Sequence, residues 1–286
     1  MKRMARQGGV ALLVVLWGCT LAAITLGALA STARVESTQA RGQVSRTQAL
    51  YAAQAGIDRA VYMLNARDDS QRWMADGRRY AMSVGKAEVQ LEIADEDGKV
   101  NLNSASPELV ERLLLVSGVP PSSVAGIRGA ILGWGRRGNM AASLLLAKGG
   151  FASLDELYRV PGVDADTVDR VLPFLTLWNA GEPNLAHAPP TVVAAVTGAS
   201  LERAQHYVEG VRRLPSADAA LPLLPGTGSG SAAKGFSGVV SIVSRARLAD
   251  GMTLVLDTTV VLHNAPGDPR AYRVLRWRER AFDSGS

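Results

Sequence analysis

The chain has 286 residues, of which 47% are hydrophobic and 20% charged, enough apolar material for a folded core and too much for overall disorder. Its one cysteine, Cys19, excludes an intramolecular disulfide framework and Cys-based zinc or iron–sulfur sites, and His187, His206 and His263 show no metal-ligand spacing. The net charge of +5 suggests nucleic acid at first sight. Lys2, Arg3 and Arg6 supply three of the 31 basic residues, however, and the 28 left face 26 acids, so most of the excess belongs to a leader.

Val10 to Ala30 carries no charge. As a helix its 21 residues span roughly 31 Å, against a bilayer core of about 30 Å. The basic residues before it place the N-terminus in the cytoplasm and everything downstream outside. Two rival readings are a signal peptide cut after Ala28-Leu29-Ala30, and a lipoprotein box at Leu16-Trp17-Gly18-Cys19. The apolar stretch is long for the first, and the bulky Trp17 fits the second badly.

The junction Arg6-Gln7-Gly8-Gly9, followed directly by Val10, resembles the class III leader of type IV pilins and pseudopilins. The resemblance implies that a membrane aspartyl peptidase cuts between Gly9 and Val10 and leaves the apolar segment in place. Residues 34 to 66 lack proline and extend the helix, with Leu50, Ile57, Val61 and Leu64 on one face. The expectation is one rod, half in the bilayer and half packed on a globular head.

Beyond it the period changes. Glu88 to Ile93 and Val100 to Asn103 alternate as strands, with Asp95-Glu96-Asp97-Gly98 as the turn between them. Val239 to Arg247, Met252 to His263 and Tyr272 to Trp277 are three further strand-like runs. Strands that flank a helical middle suggest one sheet with a domain let into it. In that middle, Ser106-Pro107-Glu108 starts a helix, and helix, Gly-turn, helix units recur around Gly118, Gly162 and Gly198. The second resembles a helix-hairpin-helix, a motif that holds DNA phosphates. Asp164, Asp166 and Asp169 follow its turn where a phosphate binder would place cations, so the hairpin is expected to serve packing.

Three other patterns carry little chemistry. Pro225 to Ser231 is glycine-rich but follows no strand, and it reads as a linker. Arg273, Arg276, Arg278 and Arg280 around Trp277 read as a charged edge strand. Asp95 and Asp97 could take calcium through their carboxylates, although Lys99 and an early Gly98 break the EF-hand pattern and a solvated turn is the simpler reading.

The leader, the Asp95–Asn103 segment and the Phe151–Thr176 segment together resemble the general secretion pathway protein K family, the large minor pseudopilins of type II secretion. The resemblance implies an α+β fold, a pilin-like long N-terminal helix packed on an antiparallel sheet with a large inserted α-helical domain. The divisions would be a leader at 1–9, transmembrane and periplasmic halves of the helix at 10–33 and 34–66, a pseudopilin α/β domain at 67–103 and 236–286, the insert at 104–225 and a linker at 226–235. It further implies a non-enzymatic inner-membrane protein at the tip of a periplasmic pseudopilus. The implied partners are minor pseudopilins I and J, the prepilin peptidase, the inner-membrane assembly platform and secreted cargo. Calcium is an implied ligand, with Asp95 and Asp97 as the candidates. The fifth residue after the Gly9–Val10 bond, usually glutamate in pilins, is Val14. The alternative from another class is a membrane-tethered DNA-binding protein, which steeply salt-dependent duplex binding would reveal.

Overall fold

The computed structural model describes residues 8–68, 70–137, 150–179, 181–213, 237–262 and 271–282. Helix α1 runs unbroken over Gly8–Leu64, 57 residues or about 86 Å. No proline interrupts it, and its two halves meet different surroundings. Leu12–Leu29 is long and apolar enough to cross a membrane, and none of that stretch is buried. The second half lays Ala49, Ala53, Ile57, Ala60 and Val61 on a sheet.

That sheet contains β1 (Asp76–Val84), β2 (Ala87–Asp95), β5 (Val239–Arg247), β6 (Thr253–Leu262) and β7 (Tyr272–Phe282), antiparallel throughout in the order β1-β2-β5-β6-β7. The alternation in β2 turns Ala87, Val89, Leu91 and Ile93 toward α1 and leaves Glu88, Gln90 and Glu92 exposed. Small residues at the contact let α1 approach closely. A Cβ on Gly56 would meet Ser244 Oγ and Val89 Cγ1 at 2.8 Å, and Ser244 Oγ donates to the Ala53 carbonyl at 2.8 Å. The sheet and the helix are thereby joined at backbone range.

The neighbours β2 and β5 are separated in sequence by a helical unit with its own apolar core. It contains β3 (Val100–Asn101), α2 (Pro107–Val116), α3 (Pro121–Arg137), a 3-10 segment (Leu154–Arg159), α4 (Ala165–Val171), a 3-10 turn (Leu172–Phe174), β4 (Leu175–Thr176), α5 (Pro190–Thr197) and α6 (Leu201–Arg212). Ser106 caps α2 and Ser200 caps α6, each accepting from an amide three residues on.

One strand assignment needs correction, and one strand has no counterpart in the sequence pattern. The Val100–Asn103 run shortens to β3, which pairs in parallel with β4 and takes no part in the main sheet. Strand β1, too polar to show a clear pattern, forms an edge of that sheet. The Pro225–Ser231 stretch, His263 and the first seven residues lie outside the described residues.

Candidate functional site

The exposed half of α1 is one candidate surface. Val14 is 66% exposed and shares a helix face with Trp17, Gly18 and Leu21, at spacings of three, four and seven residues. No charged residue lies between Arg6 and Arg34, so this length of helix offers neighbours chiefly apolar surface. Gly9 and Val10 are inside α1, whose first residue is Gly8. The bond between them is helical.

The other candidate is the junction where the helical unit leaves the sheet and returns to it. Asp95 ends β2 and begins the 3-10 turn Glu96–Gly98; its side chain is fully buried. Oδ1 accepts from the Asp97 amide at 3.0 Å and from Ser237 Oγ, and Oδ2 accepts from the Ser237 amide at 3.3 Å. His187 Nδ1, from the helical unit, lies 3.0 Å from Oδ2. One carboxylate thus joins the end of β2, the approach to β5 and the loop ahead of α5. Burial pushes the Asp95 carboxyl up, but the neighbouring His187 imidazole and the bonds from Ser237 and the Asp97 amide outweigh it and leave the group below its ordinary value.

The turn itself is clamped from the same side. The Asn184 amide donates to the Asp97 carbonyl at 2.7 Å, and Asn179 Nδ2 donates to the carbonyls of Glu96 and Lys99. Gly98 passes so close to the His187 carbonyl that a Cβ there would collide with backbone. Beneath the turn, Lys99 Nζ donates to Glu96 Oε1 at 2.6 Å and to Ser241 Oγ of β5 at 2.7 Å, with Glu96 1% exposed.

These contacts decide how the sequence candidates are used. Asp95 and Asp97 are adjacent in space, but the oxygens of Asp95 are committed to protein donors and do not fit a calcium ion, which needs six to eight oxygens. Among the described residues no three His, Cys, Asp or Glu side chains gather as a metal set. In the hairpin, Gly162 takes φ +83° and Asp164 caps α4, its carboxylate accepting from Thr167 N at 2.7 Å and Thr167 Oγ1 at 2.9 Å. A carboxylate therefore stands at the helix end where a phosphate would dock. Asp169 accepts from the Tyr158 hydroxyl.

The arginines of β7 hold the helical unit to the sheet. Arg276 reaches Asp257 at 3.3 Å and Asp155 at 3.5 Å, and Arg278 donates to the Tyr158 hydroxyl at 3.0 Å while lying over its ring. Sequence reasoning missed His187, Ser237 and Ser241, because each is an isolated residue far along the chain from its partner and belongs to no local pattern.

No family model matches the chain, and no curated protein does. Among solved structures it resembles a chain from the crystal structure of the GspK-GspI-GspJ complex of the enterotoxigenic Escherichia coli type 2 secretion system, with a TM-score of 0.54 and 15% sequence identity over 85% of this chain and 100% of that one. The likeness is one of fold: a pseudopilin-like α+β architecture with an N-terminal apolar helix, an antiparallel sheet and further helices.

Proposed function

We propose that the chain is a minor pseudopilin of a type II secretion system, which caps the tip of the periplasmic pseudopilus, initiates its assembly and so serves protein export across the outer membrane. The observation that carries this reading is the build of α1 and what hangs on it. Its first half is bare and apolar, and its second half holds a sheet that a helical unit interrupts between β2 and β5. The bare half suits packing against like helices in a membrane or a filament core. The bulky helical unit suits an end of the filament, where nothing has to stack above it.

On this reading the chain is a single-pass inner-membrane protein with a cytoplasmic N-terminus and a periplasmic body. Minor pseudopilins I and J are its neighbours at the tip, as the fold likeness to the GspK-GspI-GspJ complex supports. The prepilin peptidase removes residues 1–9, and the assembly platform drives extrusion. The role is mechanical and requires no catalytic centre; secreted cargo would meet the exposed tip.

Processing tests the reading. Mass spectrometry of the protein from its host membrane should find a mature N-terminus at Val10. Gly9→Val should retain the leader, insert normally and fail to assemble, since a β-branched side chain obstructs unwinding and access at the scissile bond. A mature chain beginning at Cys19 or Ser31, or unaltered cleavage in the variant, would overturn it.

A further inference from the structure

A cleft of about 270 Å³ separates the outer face of the sheet from the helical unit. Its floor is buried, with Glu96, Ser241 and Thr259 all under a tenth exposed, and its rim at Glu92 and Arg245 is open to solvent. Leu154, Leu172 and Leu175 from the helical unit face Val243 and Val255 from the sheet across it.

Two polar atoms of the lining residues are unmet. Glu96 Oε1 is taken by Lys99, while Glu96 Oε2 is buried with no hydrogen-bond partner among the described residues. The terminal nitrogens of Arg276 go to Asp257 and Asp155, while its Nε–H is buried and has none. Buried acceptors and donors are ordinarily satisfied. Water could reach these atoms from the polar side of the cleft, but the leucine and valine side offers it no bonds.

The charges narrow the choice of ligand. Glu92, Glu96 and Asp257 balance Lys99, Arg245 and Arg276 around the cleft. A ligand ammonium seeking Glu96 would meet Lys99, and a ligand carboxylate seeking Arg276 would meet Asp257 and Asp155. A peptide group carries one N–H and one C=O without net charge, and an apolar side chain beside it matches the walls.

We propose that this cleft binds a short, uncharged, apolar peptide segment, its N–H donated to Glu96 Oε2, its carbonyl accepting from Arg276 Nε and its side chain among Leu154, Leu172 and Val255. The site does not depend on filament position or on leader processing. The probe is N-acetyl-leucine methylamide, titrated calorimetrically into the full chain in detergent micelles, with free leucine as the zwitterionic control. Saturable binding near about 1 mM or tighter is expected. Glu96→Gln and Arg276→Lys should each weaken it about tenfold, the second keeping the charge while removing Nε–H, and Val255→Phe should fill the cleft and abolish it. If a variant does not fold, the others carry the comparison. No saturable heat with the wild-type chain, equal affinity for free leucine, or affinity unchanged in the folded variants would overturn the proposal, the last because the peptide then binds elsewhere.

Discussion

At the residue scale, Asp95 makes the junction dependent on pH in a definite direction. Its carboxyl lies below the ordinary 3.8 in the folded chain, so its stabilising contribution is present above that value and is lost as the pH falls through the folded one. Asp95→Asn should cost about 2–3 kcal/mol at neutral pH, because a neutral amide cannot accept from the Asp97 amide and both Ser237 donors together beside the His187 imidazole. The gap in melting temperature between wild type and variant should be widest above the ordinary carboxyl value and should narrow as the pH falls below it. A gap that persists undiminished to acid would show that the carboxylate charge does not matter there. Gly56 gives a second residue-scale prediction. Alanine is the better helix former by about 1 kcal/mol, yet its Cβ would press on Ser244 and Val89, so Gly56→Ala should still lower the melting temperature and Gly56→Val should lower it further. A rise in both variants would mean that the helix lifts off the sheet at no cost.

At the scale of elements, the legible parts were those governed by a local period or a local cap. Val239–Arg247 appears as β5 with the expected ends, the Glu88–Ile93 alternation is the heart of β2, and Ser106 with Pro107 starts α2. The rod α1 was legible because an apolar run passes into an amphipathic one without a break. Its contact face was only half legible: Ile57, Val61 and Leu64 are buried as their spacing suggested, but Ala49, Ala52, Ala53 and Ala60 bury as much, and alanine gives little hydrophobic signal. Of the Val100–Asn103 run only Val100–Asn101 is a strand, with both residues buried, and its partner is β4, about 75 residues on, which no local rule supplies. The junction was illegible for the same reason. Val14 belongs to this scale because it acts through its helix. On the proposed tip position, a carboxylate at 14 would lie in apolar surroundings with no older neighbour's terminal amine to pair it. Val14→Glu should therefore leave assembly unchanged or impair it, read as co-purification of tip partners; improved incorporation would contradict the end position.

At the scale of the whole molecule, the described residues gather into two apolar cores. The sheet with the lower half of α1 forms one, the helical unit the other. The bonds between them are mostly polar and specific: Asp95 with His187, Arg276 with Asp155, Arg278 with Tyr158, and Arg212 with the Asp76 carbonyl. An interface of this kind fixes orientation at modest energy, since partly exposed pairs contribute little each. The helical unit is thus held in a set pose on the sheet while the bare half of α1 projects away from both. A body of this form can join a bundle of helices by one end and present the helical unit at the other.

That asymmetry makes the number and place of copies the sharpest test. Immunogold labelling of assembled pseudopili, with an antibody raised to the helical unit, should show one copy per filament at one end. Labels repeated along the shaft would contradict the account, because every interior subunit would then have to accommodate the helical unit of its neighbour.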